Sequence, residues 1–268
     1  MQHVASFSGG KDSTAMVLKL LEENKPLDRI VYCDVGLDFG EQRNYIKICL
    51  RKFKEINPNI KIDIVKSEKT FEEYFYTVNT TGKRKGQIWG WPFMLGAWCN
   101  SRLKMKPLNK YFREIGEHYR YIGIAYDEPK RYERLKGNCI APLYDLKMNE
   151  CDCMQYIKEK GYRNPMYWKF LRQGCYLCPK QNLNSLRSLR YHYPDLWNHM
   201  LQLDKDSPVT FKADGTTLWE LEHRFKWEDI NGDENFHIQL VELDLLRGFD
   251  KEWVNLIGTK VLTEYHCN

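Results

Sequence analysis

Long apolar runs are absent from this 268-residue chain. A membrane-spanning helix needs about 20 consecutive apolar residues, and no stretch comes near that length, so no membrane partner is expected. The opening Met1–Gly10 has no basic stretch leading into a long apolar one, which argues against a signal peptide and for a cytoplasmic protein. Internal repeats and low-complexity linkers are also missing, leaving one large domain or a core with an appendage. Neither G-x-x-x-x-G-K-[ST] nor G-x-G-x-x-G occurs, which excludes the Walker and dinucleotide-binding ways of holding phosphate. His192, His199, His223 and His237 have no ligand spacing, so core or surface roles are expected of them.

What is present points to a soluble globular protein that meets an anion. Hydrophobic residues make up 43%, enough for a core, and charged residues 29%. The charge is unevenly spread. Residues 1–202 hold 34 Lys and Arg against 22 Asp and Glu, whereas residues 203–268 hold 7 against 14. A basic front suggests an anionic ligand there, for which a nucleotide, tRNA or DNA all qualify. Cysteine is plentiful, at 9 residues. An odd number in a reducing compartment argues against a disulfide framework and for some ligand or redox thiols among packing ones.

The front of the chain alternates strand and helix signals. His3–Phe7, Arg29–Asp34, Ile60–Val65 and Tyr119–Ala125 are apolar or alternating runs, and Ser13–Asn24 and Glu41–Ile56 have helical periodicity. Strands separated by helices imply a mostly parallel sheet sandwiched by helices, an α/β fold. The rhythm weakens over 66–98 and stops beyond about Tyr167, where Asn184–Arg190, Asp195–Lys205 and Leu218–His223 suggest helices. The expected division is an α/β nucleotide-binding domain over 1–166 and a mainly helical C-terminal portion over 167–268.

The strongest motif is Ser8-Gly9-Gly10-Lys11-Asp12-Ser13, lying between a strand and a helix. Gly9 and Gly10 let the backbone approach a phosphate and take up positive φ. The N–H groups and dipole at the start of the following helix favour an anion. Ser8 and Ser13 add hydroxyl donors, and Lys11 adds a point charge. A glycine turn without a ligand is the plain alternative, and the direct succession of strand, loop and helix weighs against it.

This loop resembles the SGGxDS signature of the PP-loop ATP pyrophosphatase superfamily, and further segments resemble its phosphoadenosine phosphosulfate (PAPS) reductase-like branch. Val31–Gly36 is similar to the branch's second strand, which places Asp34 near the nucleotide. Trp98–Leu108 is similar to its Cys-x-x-x-Leu-Lys-x-x-Pro segment, which picks out Cys99 and Lys104. Gly123–Arg131 is similar to its Gly-x-Arg-x-x-Glu-x-x-Arg segment, with Ala125 where a basic residue is common, and picks out Gly123, Glu128 and Arg131. Gly174–Pro179 is similar to the Cys-x-x-Cys of cluster-bearing members. The resemblance spans roughly residues 4–180 and implies an adenine nucleotide alpha hydrolase-like fold that binds ATP or an adenylyl nucleotide with Mg²⁺. Two family features differ. Trp98 stands where iron–sulfur adenylylsulfate reductases have a tandem cysteine, and the end Glu264-Tyr265-His266-Cys267-Asn268 is not the Glu-Cys-Gly type of thioredoxin-dependent reductases.

Cys175 and Cys178 can bind one metal centre from a single turn, and Cys99 joins them by its family position. Three thiolates suit a [4Fe–4S] cluster with one open iron, and Cys139, Cys151 and Cys153 are candidates for a fourth ligand. Structural Zn²⁺, a redox dithiol and plain packing remain alternatives. Cys33 and Cys49 are expected to be inert core residues, and a structural role is favoured for Cys151 and Cys153. Lys83-Arg84-Lys85 with Trp89 and Trp91 combines charge and stacking surface suited to nucleic acid, although a basic loop over packed tryptophans is the favoured reading. Glu128 and Arg131 are expected to pair.

These readings lead to an expected function. The chain is expected to be a PP-loop sulfurtransferase that adenylates an acceptor, tRNA or DNA, with Lys11, Asp12 and Lys104 as catalytic residues, and that receives sulfur from a donor protein or sulfide. The alternatives are a sulfonucleotide reductase, with Cys267 as its tail thiol, and a non-catalytic nucleotide-binding protein.

Overall fold

The computed structural model describes residues 1–93 and 96–231, so Cys267 and His237 lie outside the described residues. Two compact units are present. The first comprises 1–35, 39–67 and 104–165, and the second draws its described residues from 36–38, 68–103 and 166–231.

The first unit is an α/β fold around five parallel strands: β1 (Gln2–Phe7), β2 (Arg29–Asp34), β3 (Lys61–Lys66), β4 (His118–Tyr121) and β5 (Cys139–Ile140). Their spatial order is β3-β2-β1-β4-β5. The strand alternation of β1 sends Ala5 and Phe7 to one face and Val4 to the other. Ala5 and Phe7 join a core with Met16, Leu20, Ile46 and Phe53 from α1 (Lys11–Glu22) and α2 (Gly40–Ile56), and with Ile157 from α7 (Glu150–Glu159). Val4 and Val31 pack with Leu108, Tyr111 and Phe112 of α4 (Lys106–Glu114) on the opposite face. The sheet is therefore covered on both faces, as parallel sheets require.

The last predicted strand is shorter than its apolar run. Tyr119–Ala125 was expected to be extended throughout, but β4 ends at Tyr121. Ile122 still donates to Ile140, and the chain then turns, Ile124 N donating to Ile122 O. The turn carries Gly123 against the start of α1.

In the second unit, α3 (Phe71–Phe75) begins at a Thr70/Glu73 capping box. Three longer helices follow: α8 (Leu183–His192), α9 (Pro194–Asp206) and α10 (Leu218–Asn231). Arg190 ties α8 to α10 through Glu222 and Asp229, and Trp197 of α9 donates to the same Glu222 at 2.6 Å. Phe71, Phe75, Trp91, Trp98 and Phe211 form a continuous aromatic cluster. Among the described residues no helix is long and apolar enough to cross a membrane.

Candidate functional site

Sheet order decides where a ligand can lie in the first unit. The chain leaves β1 toward β2 on one side, and β4 pairs with β1 on the other. The carboxyl ends of β1 and β4 thus flank a topological switch point, where open α/β sheets bind ligands. Ser8–Ser13 follows β1, and residues 122–128 follow β4.

The loop is held from both sides. Gly9 has φ 74°, and a Cβ there would meet Gln42 Nε2 and Ile46 Cγ1 at 2.7 Å, so only glycine fits. Ser8 N donates to Ser13 Oγ (3.2 Å), and Ser13 Oγ donates to Gly10 O (3.0 Å). Asn164 Nδ2, fully buried, donates to Gly9 O (2.9 Å) and to Gln42 Oε1 (2.7 Å), locking the loop to α2. Gly10 is the N-cap of α1 and, as glycine, supplies no side-chain cap. Gly123 packs so closely that a Cβ would lie 2.9 Å from Asp12 C and Ser13 N.

Charge gathers at the first turn of α1. Lys11 Nζ donates to Glu150 Oε2 at 2.7 Å, and Asp12 Oδ1 lies 3.5 Å from the same ammonium. Asp12 Oδ1 is buried without a hydrogen-bond partner. Its carboxyl is held above the usual range, chiefly by burial, against the opposing pull of Lys11 and with a further push from Glu150 and Glu128. Asp127 Oδ1 accepts from Glu150 N (3.1 Å), fixing the start of α7. An under-coordinated carboxylate oxygen of this kind suits a divalent cation arriving with a nucleotide.

The remaining residues singled out in this unit lie in three places. Glu128 is ion-paired with Arg131. Asp34, at the carboxyl end of β2, is paired with Lys66 of β3 (2.8 Å). Lys104 exposes its side chain on a π-helical turn, Asn100–Met105, while its carbonyl accepts a long contact from Cys33 Sγ (3.9 Å). Cys49 is buried with its thiol pushed up to about 11, and burial likewise raises Cys153. Both are packing residues of the first unit.

Cys99, Cys175 and Cys178 belong together in the second unit. All three are half-buried, and none is in a disulfide. Cys178 N donates to Cys175 O (3.2 Å), closing the Cys-x-x-Cys turn. Burial raises the Cys99 thiol, with a further rise from Cys178 and an opposing pull from Lys180. Among the described residues no three His, Cys, Asp or Glu side chains are drawn to metal-holding spacing. Thiolate sulfur with two cysteines on a single turn is a donor type that metal centres use, but the three side chains form no metal-holding group in this structure.

The basic, tryptophan-bearing segment folds inward. Trp91 is fully buried and donates to Asp204 (2.7 Å), and Trp89 stacks on Tyr74. Arg84 donates to the carbonyls of Ile88 and Trp89, stapling its own loop. Trp91 is therefore unavailable for base stacking.

Sequence reasoning did not identify Glu150, Asp127, Gln42 or Asn164. Glu150 opens a helix with a visible capping box, Asn149 with Asp152, but nothing in the sequence pairs it with Lys11 across 139 positions.

Residues 2–181 match the family model described as phosphoadenosine phosphosulfate reductase domain. Two uncharacterized proteins of Methanocaldococcus jannaschii are similar. One is 29% identical over 75% of this chain and 47% of its own length, the other 27% identical over 72% and 39%. An uncharacterized nin region protein of Escherichia phage lambda is 27% identical over 60% of this chain and 61% of its own length. The chain thus spans about half the length of the curated relatives it matches. A solved phosphoadenylyl-sulfate (PAPS) reductase from Candida auris, in complex with phosphate, aligns with TM-score 0.43 and 12% identity over 65% of this chain and 81% of that one.

Proposed function

The chain belongs to the phosphoadenosine phosphosulfate reductase domain family, and on that footing we propose that it binds ATP on the Ser8–Ser13 loop, adenylates an acceptor and transfers sulfur to it. The observation that carries this reading is the uncapped start of α1, with Lys11 and the orphaned Asp12 oxygen, at the switch point between β1 and β4. Gly9 and Gly10 bring backbone against the phosphates, Ser8 and Ser13 turn their hydroxyls from each other and from Gly10 O to the phosphates when the nucleotide binds, and Asp12 would hold the Mg²⁺ that arrives with it. Gly123 lets the strand-following turn reach the loop. Asp34, Glu128 and Arg131 line the nucleotide's further contacts.

In the first step an acceptor oxygen attacks the α-phosphorus of ATP. The bond from that phosphorus to the bridging oxygen breaks, and pyrophosphate leaves with its electron pair. Lys11 and Lys104 balance charge on the phosphates as it develops. In the second step sulfide attacks the activated carbon, a carbon–sulfur bond forms, and AMP leaves with the oxygen. A cluster held by Cys99, Cys175 and Cys178 would carry sulfide, and zinc there would serve structure alone. The acceptor class is nucleic acid, tRNA or DNA, and the donor is a sulfur-carrier protein or free sulfide.

The test is pyrophosphate release from ATP by the full chain with sulfide and pooled tRNA or DNA, alongside Lys11→Ala. Release that depends on nucleic acid and is lost in K11A is expected. Sulfite release from an adenylyl sulfate with a thiol reductant would assign the chain to reduction instead. Nucleotide binding without either product would make it a non-catalytic binder.

A further inference from the structure

Three tyrosine rings gather on the surface of the first unit. Tyr132, at the end of α5 (Pro129–Tyr132), stacks on Tyr144 of α6 (Pro142–Asp145), with ring centroids 3.8 Å apart and planes 8° from parallel. Tyr126 leans on the same Tyr144 ring, with centroids 5.1 Å apart. Tyr126 is 45% exposed and Tyr132 36%. The three hydroxyls have no hydrogen-bond partner among the described residues. Tyrosine is enriched at interfaces because it offers a large apolar face and a polar tip.

The rings stand on a fixed base. Tyr126 N donates to Met148 O (2.8 Å), and Met148 N donates to Leu143 O (2.9 Å). Leu143, the residue before Tyr144, is fully buried in the core. Glu128 is the N-cap residue of α5 and is ion-paired with Arg131. Asp127, next to Tyr126, accepts from Glu150 N, and Glu150 Oε2 accepts from Lys11. The rings are thus one residue away from the contacts that lead to the phosphate loop. Lys130, Arg134, Lys136 and Lys147 are exposed in the same segments, and none has a carboxylate partner among the described residues. Over residues 130–136 four cations meet one anion, Glu133.

Open aromatic faces interleaved with unpaired cations are complementary to flat bases on a phosphate backbone. A duplex hides its base faces, so a single strand is the form that fits. Phenol hydroxyls without a protein partner can donate to and accept from a 2′-hydroxyl, the group that separates RNA from DNA. We propose that the Tyr126 and Tyr132 rings, with Lys130, Arg134, Lys136 and Lys147, form a docking surface for a single-stranded RNA segment, its bases on the rings and its phosphates on the cations. This deepens the proposed function, which names nucleic acid as the acceptor class, and rests on it only for the fate of the bound strand.

The experiment is fluorescence anisotropy of the full chain with a labelled, unstructured RNA of about 15 nucleotides, near the upper span of such sites, and with DNA of the same sequence. ATP is left out, so binding is read independently of pyrophosphate release, and thermal midpoints are measured in parallel. RNA is expected to bind more tightly than DNA, with a logarithmic salt slope of about −3, since each of four phosphates contributes about −0.7. Tyr132→Ala should weaken RNA binding about tenfold, whereas Tyr132→Phe keeps the ring and should leave DNA affinity within about twofold. Lys130→Gln combined with Arg134→Gln should weaken binding of both strands and reduce the salt slope by about half. Both of those side chains are exposed, so the double variant decides the matter should Tyr132→Ala fail to fold. Wild-type RNA affinity in Y132A and in the double variant overturns the docking surface, as does a wild-type chain that binds no RNA, whatever pyrophosphate release shows. DNA bound as tightly as RNA overturns the assignment to RNA. RNA bound through these residues, with no pyrophosphate released from ATP, supports the surface and overturns the proposed reaction alone.

Discussion

Gly123→Ala adds one methyl group at the point where the β4 turn meets the phosphate loop. The new Cβ would lie 2.9 Å from Asp12 C and Ser13 N and 3.1 Å from Asp12 O. Comfortable carbon contacts begin at about 3.5 Å, so a gap of about half an ångström must open against backbone that cannot rotate away. Gly123 has no positive φ, so the cost is steric and owes nothing to backbone conformation. Overpacking of this kind costs about 1–3 kcal/mol. The first turn of α1 absorbs the shift, so nucleotide affinity should fall about tenfold or more, given how steeply binding geometry controls such sites. Gly40→Ala makes the same chemical change at the first residue of α2, with nothing within 4 Å of the added carbon. That variant should be neutral or more stable by up to about 1 kcal/mol. Urea unfolding and calorimetric ATP titration of both variants check the reasoning. An unchanged unfolding midpoint and an unchanged ATP affinity in G123A would refute it.

Three further predictions follow from the charges and thiols. Asp12 has a folded-state carboxyl raised by burial, so its ionised form costs stability at neutral pH, and that cost is relieved as pH falls through the raised pKa. Asp12→Asn should therefore unfold at higher urea than wild type at pH 7, with the difference shrinking at acid pH, while losing Mg²⁺-dependent ATP binding; a lower midpoint at pH 7 contradicts this. Glu150→Gln releases Lys11 from a carboxylate that is 47% exposed, at a stability cost below about 1 kcal/mol, and removes a negative charge beside the phosphates. ATP should bind about threefold or more tightly, and binding as weak as in K11A would mean that Glu150 orients Lys11 instead of competing for it. Iodoacetamide labelling of the native, metal-free protein at pH 8, mapped by mass spectrometry, should modify Cys175 and Cys178 well before Cys49 and Cys153, whose thiols are raised by burial. Equal labelling of Cys49 would show that its burial is not maintained in solution.

Particular residues show why some of this was readable in advance. β1, β2 and β3 sit within a residue or two of their apolar runs, because alternation in a covered sheet leaves few other registers. The pairing of Glu128 with Arg131 was readable from their spacing on one turn. β4 was misjudged at its end because Ile122–Ala125 is apolar for packing reasons and the chain turns there to meet α1. β5 is two residues long, too short to produce any period. The favoured reading of packed tryptophans under the basic run holds for Trp91, and its contacts with Phe211 and Asp204 show what it packs against.

The sequence by itself determined the parallel α/β class, the phosphate loop and the Cys-x-x-Cys turn, since each rests on neighbours within a few positions. A glycine pair before a helix and two cysteines on one turn carry their physics locally. Tertiary structure alone decided which distant groups complete them. Asn164 holds Gly9 across 155 positions, Glu150 holds Lys11 across 139, and Lys212 closes the cysteine turn from 31 positions away. Residues 68–103 group with residues 166–231 for the same reason. Such pairings follow from which buried polar groups and rings find partners once the chain is packed, and local periodicity holds no record of them.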